Sequence, residues 1–182
     1  GMPSGNMVID IGGGTTDIAV LSLDGIVYSE SIKVAGNTFD IDIIKYIKNK
    51  YKLLIGEVTA EQVKIKIGTV CEDSKPKTMK VRGRDLLTGL PKTINITSSE
   101  IKEAIKDSAQ MIIHATKTVL EKIEPEISAD IIDKGIVLTG GGSLLEGLDK
   151  LIEKEIKVPV KIAKSPLTCV AEGTGIILEN LT

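Results

Sequence analysis

The sequence has very few aromatic residues: no tryptophan, one phenylalanine and three tyrosines among 182 residues. Proteins that hold single-stranded nucleic acid stack its bases on aromatic side chains, and sugar-binding platforms are also aromatic, so this composition argues against both functions. Lysine and arginine number 23 against 25 acidic residues. They are scattered singly and give no basic surface, so we expect no nucleic-acid partner.

Cysteine, histidine and long apolar runs are also scarce. Cys71 and Cys169 have no CxxC spacing and His114 is the only histidine, so neither a disulfide framework nor a cysteine–histidine metal cage is expected. No apolar run approaches the ~20 residues that span a bilayer, and no signal peptide is visible. These features are typical of a soluble protein from a reducing cytoplasm.

Isoleucine, valine and leucine supply the apolar volume in short runs, which predicts an α/β fold with a buried, largely parallel sheet. We expect strands at residues 7–11, 17–23, 26–34, 77–81, 92–96, 135–139 and 158–163. Helical periodicity predicts helices at residues 38–51, from Thr59 to Gly68, from Thr97 through Val119, at residues 143–154 and after Ser165. Residues 38–107 are more polar and interrupted, which indicates an insertion into one α/β core.

The segment VIDIGGGTTDIAVLSL places five small or hydroxyl-bearing residues after a buried strand: Gly12, Gly13, Gly14, Thr15 and Thr16. Glycine lacks a Cβ atom, so several backbone N–H groups can approach one phosphate, and the threonine hydroxyls add donors. Asp10, at the end of the strand, is positioned to hold a Mg²⁺-bound water. A plain glycine-rich hairpin is the alternative interpretation of this segment.

A second glycine cluster lies in IVLTGGGSLLEGLD, with the candidate binding residues Gly140, Gly141, Gly142, Ser143 and Leu144. The order of strand, glycine turn and helix supplies free N–H groups at a helix N-terminus, which Ser143 is expected to cap. A tight turn that packs helix on strand is the alternative. Two glycine turns at the carboxyl ends of buried strands together favour a ligand cleft.

A third candidate is the segment TAEQVKIKIG, which contains Glu61, Gln62, Val63 and Lys64. The spacing of three places Glu61 and Lys64 on one face of a short helix. That face is suited to an adenine or ribose edge, with the lysine donating and the glutamate accepting. A solvated helix surface is the alternative interpretation.

These motifs resemble those of the actin-like ATPases. DIGGGTTD resembles their second phosphate-binding loop, LTGGGSLLEGLD resembles their adenosine motif, and the segment from Gly36 to Asp40 is shared with the heat-shock chaperones of that superfamily. The segments IGEVTAEQVKIKIG, VRGRDLLTGLPKTINITSSEI and PLTCVAEGTG are more specific. They resemble the MreB/Mbl family, the bacterial actins that organise cell-wall synthesis in rod-shaped cells.

The resemblance implies an actin-like ATPase domain with an RNase H-like core, a mixed sheet and helices on both faces. Residues 1–37 and 108–182 would form subdomain IIA, and residues 38–107 would form the smaller inserted α+β subdomain IIB. The resemblance covers about half of such a protein. The first phosphate loop and the water-positioning acid belong to the other domain, so no catalytic residue is assigned here and the chain alone is expected to be inactive.

The resemblance also implies ligands for each site. Gly13, Gly14 and Thr15 would contact the phosphates of ATP or ADP, and Asp10 would lie near Mg²⁺. The residues from Glu61 to Lys64 would meet the adenosine, and those from Gly141 to Leu144 would line the base and ribose.

The implied function is half of an ATP-dependent filament subunit that determines cell shape. Its partners would be other copies of itself in the intact protein and the elongation-machinery proteins RodZ and MreC. The intact protein would be cytoplasmic and peripheral to the inner face of the cell membrane, attached through the missing domain. The alternatives are a small-molecule kinase, for which no catalytic acid is evident, and a partner-docking adaptor, against which the intact glycine loops and Asp10 count.

Overall fold

Two β-sheets organise the described residues, 5–23 and 25–163, of the computed structural model. The strands of the larger sheet are β1 (Asn6–Ile11), β2 (Thr16–Ser22), β3 (Gly25–Ile32), β7 (Ile136–Thr139) and β8 (Val160–Ile162). Their order is β3-β2-β1-β7-β8, with antiparallel pairs in the first half and parallel pairs in the second. The sheet is therefore mixed, as the resemblance implied, and not largely parallel as the composition suggested.

The smaller sheet contains β4 (Leu53–Leu54), β5 (Thr78–Asp85) and β6 (Pro91–Thr97) in that order. All its pairs are antiparallel. The α-helices are α1 (Gly36–Tyr51), α2 (Glu57–Ile67), α3 (Ser98–Lys122), α4 (Pro125–Lys134) and α5 (Leu148–Ile156). The smaller sheet lies wholly within residues 38–107, whereas α1 and α3 run across the two expected subdomain boundaries. The helix expected after Ser165, Cys169 and the PLTCVAEGTG segment lie outside the described residues.

The main core forms where the central strand meets the helices. β1 places Met7, Ile9 and Ile11 on one face, each fully buried, because side chains alternate along a strand. The buried face of α1 includes Phe39 and Ile43 at the expected helical spacing. Each such side chain contributes about 1.5–3 kcal/mol by leaving water, so the periodicity in the sequence reflects the main source of stability.

Two helices differ from the sequence-based expectation. The helix expected to start at Thr59 begins two residues earlier at Glu57, with Gly56 as its N-cap, although Gly68 ends it as predicted. Thr59 and Gln62 have the spacing of a capping box, which is why the start was expected there, but Thr59 lies inside α2 and the spacing is a coincidence. The helix α4 was not predicted because its apolar pattern is short, and Pro125 starts it in the first turn, where a missing N–H costs no hydrogen bond.

The helix expected from Thr97 starts with a capping box, and the same glutamate ties α3 to α1. Thr97 Oγ1 accepts a hydrogen bond from Glu100 N at 3.2 Å, and Glu100 Oε1 accepts one from Thr97 N at 3.1 Å. Lys50 Nζ and Tyr51 Oη, at the end of α1, donate to the other carboxylate oxygen of Glu100. Although burial acts to raise it, these hydrogen bonds lower the pKa of Glu100 to about 2.

Thr97 and Thr59 are both threonines with capping-box spacing, and their substitution is expected to affect stability differently. Thr97→Ala is expected to lower the free energy of unfolding by about 1 kcal/mol, because it leaves the N–H of Glu100 without its acceptor. Thr59→Ala is expected to change it by less than about 0.5 kcal/mol, because Thr59 lies inside α2 and caps nothing. Urea denaturation of both variants checks the pair. Equal losses would contradict the assigned helix starts.

Candidate functional site

The first glycine turn, between β1 and β2, is fixed through its carbonyl groups. Gly12 N donates to Thr15 O at 3.0 Å, which closes the turn. Gly36 N and Asn37 N, at the start of α1, donate to Gly12 O at 3.0 Å and to Gly13 O at 2.8 Å. The turn is thus held against the first residues of α1.

The amide groups of this turn remain available. Among residues 5–23 and 25–163, the N–H groups of Gly13, Gly14 and Thr15 donate to no other described residue, and all three residues are exposed. Adjacent free N–H groups in a tight turn form an anion-binding concavity. The arrangement is suited to a phosphate group.

The second glycine turn lies beside the first because β1 and β7 are parallel neighbours. Gly140 has φ 85° and ψ 162°, a conformation that is essentially restricted to glycine. A Cβ atom on Gly140 would collide with Ile11 O, and one on Gly142 would collide with the Ile11 side chain. The close approach of this turn to the end of β1 therefore requires glycine at both positions.

The helix expected at residues 143–154 starts later. Residues Gly141–Leu144 form one turn of 3₁₀ helix, and α5 begins only at Leu148, after Gly147 in the left-handed conformation. Ser143 Oγ donates to Gly140 O inside the glycine turn, so it does not cap an α-helix. Glu146 O accepts from Val70 N at 2.9 Å, which holds the intervening segment extended against the chain that follows α2.

The third candidate segment, on α2, faces the same space. Lys64 Nζ donates to Gly36 O at 3.0 Å and lies 2.9 Å from Asp40 Oδ1. The two glycine turns and α2 enclose a cleft of about 630 Å³. The cleft is large enough for a small-molecule ligand.

Seven of the residues predicted from the sequence line this cleft: Gly12, Gly13, Glu61, Lys64, Gly141, Gly142 and Leu144. Seven others do not: Gly14, Thr15, Thr16, Gln62, Val63, Gly140 and Ser143. Val63 is fully buried in the core, and Thr16 is buried with its hydroxyl donating to Val34 O at 2.6 Å. The Val63 side chain therefore serves packing, and the Thr16 hydroxyl holds the start of β2 to the segment between β3 and α1.

Several lining residues were not predicted from their own chemistry: Gly36, Asn37, Asp40, Ile65, Lys77 and Glu146. In the sequence, the segment from Gly36 to Asp40 was noted only as a motif shared within the superfamily. An available signal was the acidic residue directly after Phe39, on the apolar face of a predicted helix, since a carboxylate is rarely placed there without a partner.

Asp10 lies at the edge where the two glycine turns meet. It faces Asp17 across the β1–β2 pair and Thr139 across the β1–β7 pair. Burial, and then the charge of Asp17, raise the pKa of Asp10. A Cβ atom on Gly140 would lie 2.5 Å from Asp10 Oδ1, so the glycine leaves room for this carboxylate.

The surroundings of Asp10 fit a bound cation. Thr139 Oγ1 is buried and has no hydrogen-bond partner in the described part of the chain. A cation beside Asp10 would offset the repulsion from Asp17 and favour the ionised carboxylate. Since no cluster of three or more acidic, histidine or cysteine side chains forms a metal cage in the described ranges, Mg²⁺ here would take most of its ligands from water and phosphate.

The model of the MreB/Mbl protein family matches residues 1–182. The chain belongs to the MreB/Mbl family. It is 61% identical over 179 residues to the cell shape-determining protein Mbl of Bacillus cereus, covering 98% of this chain and 54% of that protein. It is 47% identical over 178 residues to MreB of Escherichia coli K12, covering 98% of this chain and 51% of that protein.

Solved structures that are similar to this chain have the same fold. MreB5 of Spiroplasma citri bound to AMPPNP gives a TM-score of 0.89 at 43% identity, covering 99% of this chain and 54% of that one. The double helical filament of MamK gives 0.77 at 25% identity, covering 96% of this chain and 54% of that one. The fold is therefore that of an actin-like ATPase domain, and this chain spans about half the length of the relatives it matches.

No helix among the residues described for this MreB/Mbl family member is both long and apolar enough to cross a bilayer.

Proposed function

We propose that this chain is the nucleotide-binding half of a bacterial actin, and that the cleft binds ATP or ADP. The observation that carries the proposal is the convergence of two glycine turns, on adjacent parallel strands, onto one cleft. Two related structures of MreB5 are bound to AMPPNP and to ADP, which supports this ligand class. The phosphates would lie on the first turn, over the free amide of Gly13 in the cleft and those of Gly14 and Thr15 at its rim.

The adenosine would occupy the other end of the cleft. Leu144 and Ile65, both exposed apolar side chains, line the cleft on the 3₁₀ turn and on α2 respectively. Glu61 and Lys64 add a polar acceptor and donor on the α2 side. Apolar contact with a few convergent polar groups is the usual composition of a site for a planar base.

Asp10 would hold Mg²⁺ through water at the edge of the first turn, where the ion would neutralise phosphate charge. The residues of this chain bind and orient the phosphates and exclude water from one side. Hydrolysis needs an aligned attacking water, which the resemblance assigns to the other domain. We therefore expect this half alone to bind nucleotide without turning it over.

The larger function follows from the relatives and is part of the proposal. In the intact protein, nucleotide would clamp the two domains, and subunits would assemble into filaments that determine cell shape, as the MamK filament and the Mbl and MreB relatives suggest. Residues 1–37 and 108–182 would form subdomain IIA, and residues 38–107 subdomain IIB, which would contain the whole smaller sheet. Contacts with RodZ and MreC, and a cytoplasmic position at the inner face of the membrane, would belong to the intact protein.

The experiment is a titration of the ¹⁵N-labelled chain with Mg-ADP, followed at backbone amides by NMR. We expect saturable shifts at Gly13, Gly14 and Gly142, with a dissociation constant on the order of 10⁻⁴–10⁻³ M because only part of the contacts is present. Gly83 and Gly89, in the β5–β6 hairpin, serve as remote controls and should not move. Unchanged amides at both glycine turns up to saturating nucleotide would contradict the proposal for this chain.

A further inference from the structure

A buried carboxylate in the cleft has no assigned role. Asp40 lies on α1, its side chain is only 10% exposed, and it lines the cleft between the two glycine turns and α2. Burying a carboxylate is costly unless a cation or hydrogen-bond donors compensate for the lost water. A position at which the fold tolerates this cost is expected to have a specific partner.

That partner is Lys64, which comes from a different helix. Lys64 Nζ lies 2.9 Å from Asp40 Oδ1, and its side chain is 17% exposed. The contact is an ion pair without hydrogen-bond geometry, because Asp40 Oδ1 has no hydrogen-bond partner among the described residues. The lysine directs its hydrogen bond to Gly36 O, at 3.0 Å.

The contacts continue to the first glycine turn. Gly36 N donates to Gly12 O at 3.0 Å, so the backbone of Gly36 is held by Lys64 on one side and holds the turn on the other. The Lys64 ammonium has three N–H groups, and it donates only one of them to Gly36 O. Lys64 therefore connects α2 to the phosphate-side turn and keeps donors available to a ligand in the cleft.

We propose that Asp40 is a positioning residue that holds the Lys64 ammonium at Gly36, and so fixes the spacing between α2 and the first glycine turn. The inference deepens the proposed nucleotide site and rests on it for its effect on binding. Asp40 acts through Lys64 and need not touch the nucleotide. If Asp40 acted only through its negative charge, its removal would tighten the binding of an anionic ligand. If Asp40 positions Lys64, its removal weakens binding. The direction of the change in affinity therefore separates an electrostatic role from a positioning role.

A matched control lies on the same helix. Asp42 is two residues away and accepts a hydrogen bond from Ser108 Oγ on α3. It does not line the cleft. Asp42→Asn removes one carboxylate from α1, as Asp40→Asn does, and leaves Lys64 with its partner.

The first test measures lysine position in the chain without any nucleotide. The chain is acetylated with a limiting reagent, and the modification of Lys64 is compared by mass spectrometry with that of Lys66, which is exposed on the same helix. We expect Asp40→Asn to speed the acetylation of Lys64 relative to Lys66 by about fivefold or more, because the released lysine side chain reaches solvent, where its amine, after losing a proton, attacks the reagent. Asp42→Asn is expected to leave the ratio unchanged.

An unchanged ratio in Asp40→Asn would overturn the inference. If Asp40→Asn loses its cooperative thermal transition, the same comparison is made with Asp40→Ser, which removes the charge with a smaller side chain. A similar acceleration is expected there. A ratio equal to that of the unmodified sequence would count against Asp40 as the group that holds Lys64.

The second test measures Mg-ADP binding in a double-mutant cycle. We expect Asp40→Asn to weaken binding about tenfold in the otherwise native chain and less than about twofold when Lys64→Met is already present. A merely structural role would give similar losses in both backgrounds, and that result would overturn the inference. If the native chain binds no Mg-ADP, the proposed function fails, while the acetylation ratio still tests Asp40 independently.

Discussion

Replacing Gly140 with alanine is expected to lower the free energy of unfolding by about 3 kcal/mol. Its φ of 85° is unfavourable for any residue with a Cβ atom, and that atom would collide with Ile11 O and crowd the Asp10 carboxylate. Relief requires β7 to move away from β1, which separates the two glycine turns. The expected shift in melting temperature is about 6–12 °C.

Gly141 provides the control, because it belongs to the same turn and a Cβ atom there meets nothing within 4 Å. Gly141→Ala is expected to change the free energy of unfolding by less than about 1 kcal/mol. Urea denaturation of both variants, followed by circular dichroism, gives the comparison. Equal stability of the two variants would show that the second turn does not approach β1 as closely as described.

Replacing Phe39 with alanine is expected to lower the free energy of unfolding by about 3–5 kcal/mol. Phe39 is the only phenylalanine of the chain and is fully buried. It also lines the cleft, between Gly36 and Asp40 on the first turns of α1. The cavity left by the ring would loosen this end of α1, so amide exchange should accelerate at Gly36 and Asn37, whose N–H groups hold the first glycine turn.

Ile41 serves as the control for this substitution, since it lies two residues further along α1 and is 43% exposed. Ile41→Ala is expected to cost less than about 1 kcal/mol and to leave amide exchange at Gly36 unchanged. Hydrogen exchange followed by NMR measures both effects. A small loss in Phe39→Ala would mean that α1 is not anchored through its apolar face.

The strands and the longer helices could be predicted because their signals are local. The continuous apolar run of β1, which is buried on both faces, and the recurrence of apolar residues every four positions in α1 both report which side chains leave water. The start of α5 could not be predicted, because it depends on Gly147 in a left-handed conformation and on the contact of Glu146 with Val70. Such tertiary contacts override the pattern of the sequence.

The candidate site likewise has parts that the sequence predicts and parts that depend on tertiary contacts. The two turns could be predicted from the glycine clusters that directly follow buried strands, since glycine is needed where backbones approach closely. Their convergence depends on the parallel pairing of β1 with β7, which are separated by more than a hundred residues of chain. The position of Asp40 on an apolar helix face signals that it needs a partner, but nothing local identifies Lys64 as that partner, because the two residues lie on different helices and meet only in the folded chain.

The most direct measurement of the nucleotide half-site is paramagnetic broadening by Mn²⁺-ADP in the NMR spectrum of this chain. Mn²⁺ replaces Mg²⁺ on the diphosphate and broadens the amides nearest to it. We predict that amides from Gly12 to Thr15 and from Gly140 to Gly142 broaden most, while those of Gly83 and Gly89 persist, and that Mn²⁺ without ADP has a much smaller effect. Equal broadening with and without ADP, or broadening centred on α4, which carries Glu126, Asp130 and Asp133, would contradict a phosphate site between the two glycine turns.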